Sequence, residues 1–347
     1  MVTAPVSVAG ARALFAPLAP YPHVALAVSG GPDSLALLHL AARFSEERGG
    51  TPKLTVLTAD HALRPGSREE AETVARAASA LALPHAILTW EHGGVAETGL
   101  QEKARAARYD LMTAYASAHE IPVIVTAHHL DDQAETFLMR LKRGSGLDGL
   151  AAIPERSAWG GITILRPLLE VPKARLVATL EEQGIAYASD PSNADPRFER
   201  ARMRAATGAL AELGLTPEAL ALAARRLRRA REALDHATDN FLADHSEMHA
   251  DHAVIDREAL LAAPQEIALR ALARVIEAVG GSKEPVRLAK LEALLAALAE
   301  HPGKTQTLGH CRIEPSGGRL PVVREVRGKS VPGTGHAHQE RRAALTR

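Results

Sequence analysis

Cysteine is almost absent from this sequence: Cys311 is the only one among 347 residues. A single thiol excludes an intrachain disulfide framework, a cysteine-rich zinc site and a cysteine-ligated iron–sulfur cluster. Aromatic residues are scarce, at 3%, which disfavours a single-strand nucleic-acid binder built on aromatic stacking platforms. Neither sign of charge is in excess, since 41 Lys and Arg face 41 Asp and Glu. A uniformly basic coat is therefore excluded, although a local basic face is not. No apolar run approaches the ~18 residues that a membrane-spanning helix needs. The stretch from Val2 to Ala19 is mildly apolar, but Pro5, Arg12 and Pro17 interrupt it and no basic region opens it. The expectation is a protein with no signal peptide and no membrane partner, located in the cytoplasm.

What is present is an ordinary globular balance, 46% hydrophobic and 24% charged, over a length that suggests two or three domains with sizeable cores. Through the first half, short apolar runs alternate with helical patterns. His23–Val28, Lys53–Asp60, His85–Trp90 and Pro122–Ala127 read as strands. Ser34–Arg43, a segment opened by Ser67 and Glu70 as a capping box, Leu100–His119 and Leu130–Arg143 read as the helices between and after them. Continuously apolar strands alternating with helices predict an α/β fold, a parallel sheet covered on both faces.

Near residue 200 the pattern changes. Thr216–Pro217 is an N-cap and first-turn pair, and Leu220, Leu227, Leu234 and Phe241 follow seven apart. Two further helices are predicted at Pro264–Val279 and Pro285–Glu300. Thr305–Val326 reads as a strand pair around Ser316-Gly317-Gly318. The expected organisation is a catalytic domain over residues 1–205, a helical domain over 206–327 ending in that strand pair, and a disordered tail over 328–347.

One string stands where chemistry is expected. Ser29-Gly30-Gly31-Pro32-Asp33-Ser34 lies between the first strand and the first helix. Successive backbone amides without a Cβ in the way can wrap an anion, and the helix N-terminus adds the positive end of its dipole. Ser29 and Ser34 add hydroxyls. Asp33 cannot itself bind phosphate, so it holds Mg²⁺ or shapes the loop. A lone Gly-Gly turn would be no more than a tight connection; the six-residue string in this position is more. Other phosphate motifs fail, since no Gly-x-Gly-x-x-Gly follows a predicted strand, as a dinucleotide site requires, and Gly303-Lys304-Thr305 has Leu298 where a Walker loop needs glycine.

Further strings gather around it. Asp60-His61-Ala62-Leu63-Arg64 ends the second strand, a usual ligand position in an open parallel sheet. Arg105 and Arg108 share a helix face within Gln101-Glu102-x-Ala104-Arg105-x-x-Arg108-Tyr109. Thr126-Ala127-His128-His129-Leu130-Asp131-Asp132-Gln133-Ala134-Glu135-Thr136 leads from the fourth strand into a helix, and places the Asp132 and Glu135 carboxylates on one face. Such a pair can bind an ammonium or a Mg²⁺ ion; a solvated acidic face is the plain alternative. His128 and His129 suit nucleotide contact or packing better than metal ligation, because no Cys or helically spaced His accompanies them. From Arg197 to Glu232 nine Arg stand against four Glu, a local excess of +5 hidden by the neutral total. It is either a solvated face or a phosphate-contacting one.

The Ser-Gly-Gly-x-Asp-Ser string resembles the loop of the PP-loop ATP pyrophosphatases, enzymes that split ATP into AMP and pyrophosphate. Together with the strings above, Arg143-Gly144-Ser145-Gly146-Leu147, Arg166-Pro167-Leu168-Leu169, Asp190-Pro191-Ser192-Asn193 and Arg200-x-Arg202-x-Arg204, the first 205 residues are similar to the tRNA(Ile)-lysidine synthetase family. Two positions depart from that pattern. Ala201 stands where the family often carries Asn, and His310 where a second Gly after Gly309 is usual.

The resemblance implies a PP-loop catalytic domain followed by a mainly helical tRNA-binding one. It also implies ATP and Mg²⁺ as cofactors, with free L-lysine and an isoleucine tRNA bearing a CAU anticodon as partners. It is compatible with a homodimer. The implied reaction adenylates the wobble cytidine and then attaches lysine at carbon 2. Implied for ATP are Ser29, Gly30, Gly31, Pro32, Asp33, Ser34, Asp60 and His61, with Asp33 as the metal ligand. Implied as catalytic are Asp33, Asp132 and Glu135. Arg105, Arg108, His128, Asp132, Glu135, Arg200 and Arg202 would meet the substrates. Two alternatives stand beside this one: another PP-loop enzyme, such as a tRNA thiolase or a small-molecule ligase, and a non-catalytic RNA-binding relative.

Overall fold

The computed structural model describes residues 3–60, 67–90, 100–187, 199–282 and 286–325, without the side chains of 67–70 and 100–102. The chain forms two compact units, Met1–Arg231 and Glu232–Arg347.

The first unit is built on a six-stranded sheet. Its strands are β1 (His23–Ala27), β2 (Lys53–Asp60), β3 (His85–Thr89), β4 (Val123–Val125), β5 (Arg156–Trp159) and β6 (Ile162–Leu165), in the spatial order β3-β2-β1-β4-β6-β5. All neighbours are parallel except the edge strand β5, which forms a hairpin with β6. The helices are α1 (Val8–Phe15), α2 (Pro32–Glu46), α3 (Ser67–Ala80), α4 (Leu100–Ala118), α5 (Leu130–Lys142), α6 (Leu147–Leu150), α7 (Lys173–Glu182), α8 (Glu199–Glu212) and α9 (Pro217–His245), the last running on into the second unit. The mildly apolar N-terminal stretch is thus α1, capped by Ser7, whose Oγ accepts from Gly10 N at 3.1 Å.

Strand alternation divides the core. Val24 and Leu26 face one side with Phe15, Leu35, Leu38, Phe44 and Leu176. Ala25, Leu57 and Ile124 face the other with Tyr109, Met112 and Ala116 of α4. Burial on both faces is why these strands carry no polar alternation. Each of the fully buried leucines contributes roughly 1.5–3 kcal/mol relative to exposure.

The second unit holds a five-stranded antiparallel sheet in the order β7-β8-β11-β10-β9. Its strands are β7 (Ser246–Met248), β8 (His252–Asp256), β9 (Gln306–Leu308), β10 (Cys311–Ile313) and β11 (Arg319–Arg324). Helices α10 (Arg257–Ala262), α11 (Gln265–Gly280) and α12 (Leu288–Glu300) pack Leu272, Ile276, Leu291 and Leu298 against Ile255, Ile313, Leu320 and Val322. The β unit is larger than the strand pair that the sequence pattern predicts. Strands of three and five residues directly after a 29-residue helix give too short a period-2 signal to read. The Ser316–Gly318 turn is where expected, with Gly317 at φ +59. Residues 328–347, read as a tail, lie outside the described residues. Among the described residues no helix is long and apolar enough to cross a membrane.

Candidate active site

The strand order reverses between β1 and β4, and that crevice at the C-terminal strand ends is where open α/β sheets bind ligands. The Ser29–Ser34 loop follows β1, the buried Asp60 ends β2, and His128 and His129 follow β4. Gly31 is the N-cap of α2, Pro32 opens its first turn and Asp33 follows at the positive end of its dipole. Gly30 takes φ +89, a conformation that favours glycine. Ser34 Oγ accepts from Ser29 N at 3.1 Å and donates to Gly31 O at 3.0 Å. A Cβ on Gly31 would meet nothing within 4 Å, so the loop is open on that side. These six residues join the C-terminal end of β1 to the N-terminus of α2, the position that the sequence predicts for them.

His129 ties this loop to α5. It is the N-cap of α5, and its backbone N–H donates to Asp132 Oδ2 at 3.1 Å, one arm of a capping box. Its buried ring lies among three carboxylates. Nε2 is 3.5 Å from Asp33 Oδ2 and 3.5 Å from Asp132 Oδ2, and Nδ1 is 3.4 Å from Asp131 Oδ2. Burial alone would favour the neutral imidazole, but the three acids outweigh it and push His129 up to about 10. Burial in turn opposes the charge on Asp33, yet His129 and Lys173 hold its carboxyl below the usual range. Lys173 Nζ lies 3.5 Å from Asp33 Oδ2. The other oxygen, Asp33 Oδ1, is buried and has no hydrogen-bond partner. An uncommitted carboxylate oxygen beside an anion cradle fits a hard divalent cation such as Mg²⁺. Mg²⁺ takes one or two carboxylates plus phosphate oxygens rather than a full protein cage. Among the described residues no cluster of three or more His, Cys, Asp or Glu forms such a cage.

Asp132 and Glu135 are both buried, at 8% and 5% exposure, so they are not a solvated acidic face. Arg204 of α8 engages them. Its Nε donates to Glu135 Oε1 at 2.5 Å and its terminal nitrogen to Oε2 at 3.3 Å, while Asp132 Oδ1 is 3.9 Å away. Burial pushes the Glu135 carboxyl up despite this guanidinium. Glu135 lines a cavity of about 110 Å³ whose polar lining also includes His129, Asp131, Lys173 and Arg204. Its walls are apolar, including Leu138, Met203, Leu210 and Leu220.

A second, cationic cluster lies around His128. Thr126 Oγ1 is 2.8 Å from its Nδ1. Burial first, and then the positive charges of Arg166, Arg105, Arg108 and Arg200, hold His128 well below its usual range, so the ring is neutral at pH 7. Arg105 and Arg108 project from α4 with their guanidinium carbons 5.1 and 5.4 Å from the Tyr109 ring, which stacks on Trp159. Arg166 is fixed by Pro154 O at 2.9 Å and Ser157 Oγ at 3.0 Å.

The structure thus gathers Asp33, Asp132 and Glu135 in one group, and Arg105, Arg108, His128 and Arg200 in another. Arg202 is exposed on α8. His61, Arg64 and the Asp190–Asn193 string lie outside the described residues, as do the side chains of Gln101 and Glu102. The sequence pattern does not show His129 as a hub, the place of Lys173, the position of Arg166 beside His128 or the Glu135 contact of Arg204. Pro172-Lys173, just beyond Arg166-Pro167-Leu168-Leu169, is the one local signal, a helix start beside a motif. The basic helix is also partly spent on structure. Arg225 pairs with Glu170 at 2.7 Å, Arg228 with Glu155 at 3.1 Å and Arg231 with Asp148 at 3.7 Å. Arg226 and Arg229 make no ion pair among the described residues and are exposed.

A glycine-rich anion loop at the switch point of a parallel sheet defines a PP-loop nucleotide-binding domain, and the sequence pattern of that domain matches residues 7–209. The tRNA(Ile)-lysidine synthase of a Bradyrhizobium species is 46% identical over 85% of this chain and 84% of its own length. That of Rhodopseudomonas palustris is 44% identical over 92% of this chain and 95% of its own. The chain belongs to the tRNA(Ile)-lysidine synthase family. The U34-tRNA thiolase NcsA from Methanococcus maripaludis, solved with its [4Fe-4S] cluster, shares the fold with a TM-score of 0.53, over 64% of this chain and 77% of that one, at 17% identity.

Proposed function

We propose that this chain uses ATP to attach free lysine to carbon 2 of the wobble cytidine in an isoleucine tRNA with a CAU anticodon. The observation that carries this reading is the position of His129, within 3.5 Å of both Asp33 on the nucleotide loop and Asp132 beside the acidic cavity. One buried ring thereby holds a phosphate-side carboxylate next to an amine-side one. A two-step reaction, adenylation followed by amine attack on the same carbon, needs that proximity. The identity of relatives bearing this enzyme's name, across most of the chain, supports it.

In the first step the carbon-2 oxygen of the cytosine attacks the α-phosphorus of ATP. The bond to the bridging oxygen breaks and pyrophosphate leaves. The loop amides and Ser29 hold the phosphates, with charge stabilised where it develops. Asp33 Oδ1 would hold Mg²⁺, which when bound neutralises charge on the phosphates. In the second step the ε-amine of lysine, having lost a proton, attacks carbon 2. The carbon–oxygen bond breaks and AMP leaves. Asp132 and Glu135 bind the incoming ammonium and accept its proton, while Leu138, Met203 and Leu210 line its aliphatic stem. Arg204 occupies Glu135 in this structure, so lysine exchanges with a guanidinium there. Arg105, Arg108, Arg166 and Arg200 form the phosphate-binding side of the tRNA site, with Arg202, Arg226 and Arg229 extending it. Asp60 borders the nucleotide, and the helical region after residue 205 docks the tRNA body. A thiolase reading finds no support in a chain whose one thiol is the buried Cys311.

The test is incorporation of labelled lysine into isoleucine tRNA, with ATP and Mg²⁺, and methionine tRNA as control. Label confined to the isoleucine tRNA, and lost in Asp132→Asn, is the expected result. ATP cleavage without label would overturn the substrate assignment. Absence of cleavage would overturn the enzyme assignment.

A further inference from the structure

Four carboxylates, Asp33, Asp131, Asp132 and Glu135, face three cations, His129, Lys173 and Arg204, in one linked cluster. A polyphosphate entering the Ser29–Ser34 loop meets a net negative wall unless a cation turns toward it. Two of the three cations are committed. His129 is 3% exposed and held by three acids, and Arg204 is bonded to Glu135 through two nitrogens. Lys173 differs from both. Its backbone N–H is anchored on Asp131 Oδ2 at 2.9 Å, which fixes where the side chain starts. Its side chain is 39% exposed, and its Nζ rests 3.5 Å from an Asp33 oxygen that His129 also serves. An ion pair this loose and open is worth little, so redirecting the ammonium costs little. Asp33 keeps His129 when Lys173 leaves.

We propose that Lys173 is a phosphate-binding residue of the adenylation step, its ammonium moving from Asp33 to the pyrophosphate end of ATP. The point charge of a lysine on a flexible stem suits a group that must be held in ATP and then released. The inference rests on the adenylation reading above, and the measurements separate the two. Inorganic pyrophosphate and AMP are each titrated calorimetrically into the full-length protein, its Lys173→Met variant and its Lys173→Arg variant, with thermal unfolding followed in parallel. Loss of one charged hydrogen bond predicts pyrophosphate binding weakened about 10- to 100-fold in Lys173→Met. AMP binding should stay within about twofold, since AMP lacks the β- and γ-phosphates, and Lys173→Arg should recover most of the loss. Unchanged pyrophosphate binding in Lys173→Met overturns the inference. So does an equal loss for AMP, because that marks a structural role. Pyrophosphate release from ATP in a single turnover with isoleucine tRNA should fall with the same variant. If the natural chain releases none, the adenylation reading fails, while Lys173-dependent pyrophosphate binding still upholds the residue assignment.

Discussion

Replacing Arg204 should expose how strongly the acidic pair depends on it. The Glu135 side chain is 6% exposed and that of Arg204 36%, with two nitrogens on one carboxylate. Arg204→Met keeps the stem and removes the charge, leaving Glu135 and Asp132 as unneutralised neighbours. Breaking a buried pair from one side costs about 3–5 kcal/mol. The Arg204 side chain is more than a third open to solvent, so screening reduces the expected loss to about 2 kcal/mol. Glu135→Gln keeps shape and an acceptor and leaves only a solvent-reachable cation, so about 1 kcal/mol is expected. The double variant should cost little more than Glu135→Gln alone, a coupling of about 1.5–2 kcal/mol. Urea unfolding followed by tryptophan fluorescence reads this directly, because both tryptophans, Trp90 and Trp159, belong to the unit spanning Met1–Arg231. The pH dependence has a defined sign. Burial raises the Glu135 carboxyl above its unfolded value, and loss of Arg204 raises it further. Such a carboxyl binds its proton more tightly when folded, so stability falls as pH rises past the unfolded value and returns as pH falls through the folded one. The deficit of Arg204→Met should therefore shrink from pH 7 toward pH 5. Additive costs, or a loss below about 0.5 kcal/mol, would refute the account of this pair.

Two other perturbations test the charges around the site. His129 is raised to about 10, so its contribution is complete below pH 6.5 and is lost as pH rises through about 10. On the order of 4 kcal/mol is at stake across that window. The fluorescence-detected Tm of the natural chain should decline between pH 7 and 10 more steeply than that of His129→Gln, and parallel profiles would contradict the imidazolium. For tRNA binding, Arg226→Ser with Arg229→Ser should flatten the plot of log affinity against log salt by about 1.5, roughly one counterion per phosphate contact. Arg225→Ser should change it by less than half of that, because Arg225 is already paired with Glu170; an equal effect per arginine would show that the pairing does not matter.

Much of the fold is legible in the residues because the signals are local. The apolar strands His23–Ala27 and Lys53–Asp60 are buried on both faces, and Thr216-Pro217 caps α9, with Ala219 N donating to Thr216 Oγ1 at 3.2 Å. β7 and β8 escape such reading because strands of three and five residues are decided by pairing: β7 pairs with β8, and β8 with β11, a partner more than sixty residues away. The acidic pair is visible as an i, i+3 spacing, but its burial and its Arg204 partner, sixty-nine residues on, are not.

The Ser29–Ser34 turn follows from local residues, because Gly30, Gly31 and Pro32 set their own backbone and a strand–helix junction supplies the dipole. The sequence also determined which carboxylates share a face of α5, since 3.6 residues per turn leaves no choice. Their state was left to packing. Whether a carboxylate faces solvent, an arginine or an imidazolium depends on elements brought together by burial of the sheet's two faces. Packing put His129 between Asp33 and Asp132, Lys173 over the loop and Arg204 on Glu135. It also took Arg225, Arg228 and Arg231 out of the exposed positive face by pairing them with acids 55 to 83 positions away. Charge is written in the sequence, but its effective strength is set by distance and solvent, which the fold alone supplies.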